Sequence, residues 1–71
     1  MTDSKALKER IKKSGMKVRY VAVQIGITPA GFSKKLSNKT EFKASEIMAL
    51  TRVLNLTSDE RDAIFFAPDV A

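Results

Sequence analysis

VRYVAVQIGITPAGFSKKL, residues 18–36, decides how the rest of the chain is read. Val18, Val21, Ala22 and Ile25 recur at i, i+3, i+4 and i+7, which puts all four on one face of a helix from Val18 to Ile25. Gly26 follows, suited to the left-handed backbone just past a helix end, and Ile27 returns to the core. Thr28 and Pro29 then open a second helix, Pro29 to about Ser37. The threonine hydroxyl serves as N-cap, and the proline sits at the first helical position, where its missing N–H costs nothing. Phe32 and Leu36, four apart, form its buried stripe. Two helices joined by about three residues, with glycine in the turn, make a helix-turn-helix.

Outward from this stretch the chain continues as helices. Asp3 or Ser4 can cap a first helix running to about Ser14, with Leu7 and Ile11 as its core pair, Ala6 beside them and a basic outer face. Gly15 ends it, and Met16 returns inward. After Leu36 the polar run Ser37-Asn38-Lys39-Thr40-Glu41 reads as a loop. Asn38 is the residue there most tolerant of a left-handed conformation, and Phe42 is the loop's buried anchor. A fourth helix covers about Ala44 to Leu54. Ile47, Leu50 and Leu54 mark its buried face, Met48 and Val53 lie alongside, and Asn55 suits the C′ position. Leu56 is a core plug. Thr57 and Glu60 form a capping box for a fifth helix, where Asp59 and Glu60 complement the helix dipole. That accounts for the acidic cluster without a metal. The fifth helix ends in Ile64-Phe65-Phe66, three adjacent apolar residues spanning roughly 200° of helix. Either the domain wraps both rings, or one completes a partner surface. Tyr20 and Val23 lie off the apolar stripe of the second helix. They pack on the first helix, offer a tyrosine hydroxyl to a phosphate, or form a small partner patch. The last residues, Asp69 to Ala71, are expected to be loose.

Ala22, Gly26 four residues on, and Phe32 six after that are joined by GM at 15–16, LSNKTEF at 36–42 and LNLT at 54–57. On these residues the chain, from about Leu7 to Phe66, resembles the small phage repressor and Cro-type (Xre-like) helix-turn-helix DNA-binding proteins. The resemblance implies one all-α domain over residues 1–71, a five-helix lambda-repressor-like fold. It implies a transcriptional regulator, a phage or prophage repressor, working on duplex DNA in the cytoplasm and nucleoid of a bacterial host. In that family the second helix of the motif lies in the major groove. Base-reading positions then fall on Thr28, Pro29, Ala30, Ser33, Lys34 and Ser37. Lys34 can donate to guanine O6 and N7, Ser33 can donate or accept, and Pro29 and Ala30 can touch a thymine methyl. Phosphate contacts would come from Lys17, Arg19, Lys39 and Lys43, with Lys35 at the groove edge and the free N–H groups at the starts of the second and fourth helices adding to them. Two residues depart from the family pattern. Val18 stands where a glutamine often touches a phosphate, and Lys35 stands where an apolar residue is usual. Few of the base-reading side chains can make bidentate contacts, so specificity leans partly on DNA shape.

Charge fits that reading. Up to Lys43, eleven Lys or Arg face only Asp3, Glu9 and Glu41, a surplus of eight positive charges. From Ala44 on, Arg52 and Arg61 face Glu46, Asp59, Glu60, Asp62 and Asp69, a deficit of three within a total of +5. A basic end suits a polyanion. The 71 residues contain no cysteine and no histidine, hence no disulfide, thiolate metal site or imidazole base. Gly15, Gly26 and Gly31 are scattered rather than gathered into a phosphate loop, and Ser14, Ser33 and Ser37 have no base nearby in sequence. The expectation is a non-enzyme without cofactor, metal or small-molecule ligand. With no run of about 18 apolar residues and no charged-then-apolar leader, no membrane partner is expected. A single module this small gives limited affinity, so a homodimer on a near-palindromic operator is expected, with Phe65 or Phe66 as the contact. The rival class is a protein-interaction module, antirepressor-like or antitoxin-like, that uses the same fold to bind another regulator. The basic N-terminal part favours DNA; the Tyr20/Val23 and Phe65/Phe66 patches favour a partner.

Overall fold

The structure, a computed structural model, describes residues 1–67; the expected loose tail from Asp69 lies outside them. Five helices follow one another, with no strand among the described residues: α1 (Ser4–Lys13), α2 (Val18–Gln24), α3 (Pro29–Leu36), α4 (Ala44–Val53) and α5 (Ser58–Phe65). Each ends one residue before the end expected from apolar spacing. Ser14, Ile25, Ser37, Leu54 and Phe66 are C-caps, half in and half out of the helix.

The starts follow the side-chain chemistry. Asp3 caps α1 by accepting from the Ala6 N–H at 3.0 Å, Thr28 caps α3 by accepting from the Gly31 N–H at 3.0 Å, and Thr57 and Glu60 form the reciprocal box on α5. The ends of α2, α3 and α4 share a second device. In each, the N–H two residues past the C-cap reaches back to a carbonyl five residues earlier: Ile27 to Ala22, Lys39 to Lys34, and Leu56 to Thr51. This is the Schellman pattern, which needs a left-handed residue at C′. Gly26 supplies it at φ +80°, Asn38 at +62° and Asn55 at +52°.

One buried cluster draws on all five helices and the α3–α4 loop: Leu7, Ile11, Val21, Ala22, Phe32, Leu36, Phe42, Leu50, Leu54, Leu56, Ile64 and Phe65. Phe42 anchors the loop as expected, edge-on to Phe32 at 5.8 Å and to Phe65 at 5.5 Å between ring centres. Three apolar expectations are corrected. Val18 is 38% exposed, because it occupies the first helical position of α2, and the core takes Val21 and Ala22 with Ile25 packed against it. Met48 is exposed, since it lies about 200° around α4 from Leu50. Tyr20 and Val23 are more than half exposed, so α1 does not cover them.

Two non-local links complete the frame. Arg10 of α1 donates from Nη2 to the Leu54 carbonyl at 2.8 Å and pairs through Nε with Glu60 at 3.4 Å. The first residues form a strap across the end of α3. The Thr2 N–H donates to Asn38 Oδ1 at 3.2 Å, and Asn38 Nδ2 returns a bond to the Thr2 carbonyl at 3.0 Å. The Ser4 hydroxyl donates to the Leu36 carbonyl, and the Asp3 N–H donates to the Ile64 carbonyl of α5 at 2.7 Å. No helix among the described residues is long and apolar enough to cross a membrane.

Candidate nucleic-acid interface

The α2–α3 unit is held from both sides of its turn. The Schellman bonds at Gly26 and Ile27 close α2, Thr28 opens α3, and the two helices pack against each other. With Phe32 and Leu36 buried, α3 presents Pro29, Ala30, Ser33 and Lys34 outward, flanked by the exposed caps Thr28 and Ser37. All six expected base-reading residues are therefore exposed on or beside one helix. Eight residues make that helix about 12 Å long, close to the width of a major groove at about 12 Å.

The hydroxyls at its two ends are partly committed. Thr28 Oγ1 accepts from Gly31, which leaves its own O–H free to donate. Ser37 Oγ donates to the Lys34 carbonyl at 3.0 Å, which leaves its lone pairs free to accept. Lys34 has no ion pair among the described residues, and its neighbours one turn away, Ala30 and Ser37, are small. The chemistry of this face is one long cation amid short side chains.

Lys17, Arg19, Lys39 and Lys43 are exposed and free of ion pairs among the described residues. Lys17 and Lys43 are the N-cap residues of α2 and α4, and neither helix has a side-chain cap. A cation there adds to the positive end of the helix dipole instead of neutralising it. At α4 the free N–H set is smaller than expected, because the Lys43 N–H already donates to Glu46 Oε1 at 2.8 Å.

Lys35 is a correction. Expected at the groove edge, it turns inward and is only 13% exposed along its side chain. Its ammonium meets Glu46 Oε1 at 2.8 Å and the Glu41 carbonyl at 3.1 Å, and its Nζ lies 5.9 Å from the centre of the Phe42 ring. The position three after Phe32 flanks the buried stripe, and here a lysine stem and a carboxylate fill the place of an apolar contact. Glu46 is the one charged residue buried among those described. Burial alone pushes its carboxyl up, but the bonds from Lys35 and the Lys43 N–H, with the attraction of both ammoniums, hold it below its ordinary value. Sequence reading missed this pair, since nothing in the spacing of residues 35 and 46 marks a contact.

The two terminal phenylalanines separate. Phe65 is 4% exposed and belongs to the core, so it is withdrawn as a partner contact; Phe66 is 61% exposed. With Phe42, Ala44, Ile47, Met48 and Arg61, Phe66 lines an open hollow of about 420 Å³.

No family model, curated protein or solved structure matches the chain.

Proposed function

We propose that this chain is a sequence-specific duplex-DNA-binding transcriptional regulator, a repressor of the small phage repressor and Cro type, with the lambda-repressor-like arrangement in which α3 enters the major groove. The observation that carries the reading is the division of α3 into two faces. Phe32 and Leu36 anchor one, Lys35 is drawn inward to Glu46, and the other offers Ala30, Ser33 and Ser37 around a single extended cation, Lys34. Short side chains let a helix approach base edges closely, and a lysine among them can reach guanine O6 and N7. Lys17, Arg19, Lys39 and Lys43 supply charge for flanking phosphates.

Selection from a pool of randomised duplexes, followed by a salt titration on the enriched sequence, tests the reading. The expected result is a motif with two half-sites about 10 base pairs apart and an affinity that falls steeply with salt. Lys39→Ala or Lys43→Ala is expected to weaken binding to all duplexes alike and to lower the log–log salt slope by about one unit. Absence of any enriched motif, together with no salt-dependent binding, would overturn it. A second reading, a module that binds another regulator, is favoured by the exposed Tyr20 and Val23 on α2; in that case the pool yields no motif.

A further inference from the structure

The backbone of α3 runs closest to α2, and its side chains Phe32 and Leu36 enter the shared core. Two apolar anchors four residues apart set which face of a short helix is buried, and the ties on its flank set the last few degrees of its roll. Roll matters for base reading: at an outer radius of about 6 Å, a roll of about 10° carries a side chain about 1 Å sideways, and a recognition constellation must hold to about 0.5 Å. Beside the buried Phe32 and Leu36 and the Ser4–Leu36 bond at its end, α3 has, among the described residues, one polar side-chain tie to α4, the Lys35–Glu46 pair, which reaches across from the flank of the buried stripe.

One carboxylate oxygen, Glu46 Oε1, accepts from both Lys35 Nζ and the Lys43 N–H, each at 2.8 Å. The same ammonium also holds the Glu41 carbonyl at 3.1 Å. Recognition helix, loop 37–43 and the start of α4 are thereby joined at one point. The pair is well shielded, with side chains 13% and 10% exposed, so solvent and salt weaken it little. The segment it gathers carries Lys34, Lys39 and Lys43, the cations assigned to one guanine and two phosphates.

We propose that Lys35 and Glu46 are positioning residues for base reading: their pair fixes the roll of α3 and so the point at which Lys34 meets a base. This rests on the DNA-binding reading above. Neither residue touches DNA; both act through α3.

The test compares Glu46→Gln, Lys35→Met and Lys35→Arg with the wild-type protein, at a temperature where circular dichroism shows full helix content. Affinity is measured on the selected site and on random duplex. Glu46→Gln removes a negative charge, so electrostatics alone would tighten binding to every duplex. Positioning predicts the opposite sign on the selected site: its affinity relative to random duplex falls about tenfold, the scale of one mismatched base pair. Lys35→Met is expected to give the same fall with an unchanged salt slope, and Lys35→Arg, which keeps the pair, to retain the wild-type ratio. The proposal is overturned if Glu46→Gln tightens binding to all duplexes, or if Lys35→Met weakens both equally and lowers the slope by about one, the mark of a phosphate contact. Unfolding of both Glu46→Gln and Lys35→Met would make the pair a fold determinant and overturn it too. A wild-type protein without sequence preference removes the DNA reading itself, and the proposal with it; a wild-type preference kept intact by the variants removes the proposal alone.

Discussion

Lys34 and Lys35 stand side by side on α3, one exposed and the other clasped to Glu46 at 2.8 Å, because successive positions lie about 100° apart on a helix. Lys34→Ala is therefore expected to cost roughly 1–3 kcal/mol on the selected site and to flatten preference at one position in each half-site. Its effect on random duplex is smaller, that of one lost cation. Parallel selections with wild type and mutant check this; equal sharpness in both would make Lys34 a phosphate contact. Asn38 and Asn55 make a second residue-level contrast. Both are left-handed C′ residues, where glycine fits best. Among the described residues, only Asn38 also spends its side chain on distant partners, Thr2 and Ser4. Asn55→Gly is expected to raise stability by about 0.5 kcal/mol, and Asn38→Gly to lower it by about 1 kcal/mol through the lost hydrogen bonds. Opposite shifts in urea midpoint confirm the strap; shifts of the same sign would show that Asn38 holds nothing.

At the scale of elements, what sequence carries is local. The caps at Thr28 and Thr57, the left-handed Asn38 and Asn55, and the stripes Leu7/Ile11 and Phe32/Leu36 follow from residues three to five apart, and all were legible. The exposed face of α3 was legible for the same reason, as the complement of its buried stripe. Lys35–Glu46, Arg10–Leu54 and the Thr2–Asn38 strap join residues brought together only by the finished packing, and no spacing announces them. Val18 was misread because periodicity assigns a face but not how far the core extends along it. The Lys35–Glu46 link between α3 and α4 has a pH signature. The Glu46 carboxyl is held below its ordinary value of 4.5 in the folded protein. A lowered folded value means the unfolded chain binds protons first as pH falls. The link's stabilisation is thus complete above pH 4.5 and is lost as pH drops below that through the folded value. Glu46→Gln is expected to cost about 1.5 kcal/mol at neutral pH, roughly 10 °C in Tm for a chain this small, and to flatten part of the acid limb of Tm against pH. An acid limb unchanged by the substitution would show that the pair does not stabilise the fold. Glu60, lowered by its bond from the Thr57 N–H, titrates in the same sense and accounts for some of the remaining slope.

At the scale of the whole molecule, exposed apolar side chains fall in two groups along the chain: Tyr20 and Val23 within the basic part up to Lys43, and Met48 and Phe66 beyond it. Under the proposed function the second is where a second copy would meet the first. Phe66→Ser is expected to give folded monomer by light scattering, with helical circular dichroism retained and about tenfold or greater loss of affinity for a two-half-site duplex. A dimer that persists in Phe66→Ser would move the contact to the Tyr20/Val23 face of α2. The strap has a dynamic consequence. Asp3 and Ile64 are bonded although nearly the whole described chain separates them, so the helices form a ring closed by the first residues. Helices and tight turns form from local contacts in microseconds, whereas a closure this long in sequence must wait until both ends are in place. The strap is therefore the last piece to zip and the first to fray. When it frays it releases the Leu36 carbonyl and Asn38, so the trailing end of α3 breathes before the leading end at Thr28. Amide exchange that is faster at Asp3 and Asn38 than at Phe32 would be the trace of that order.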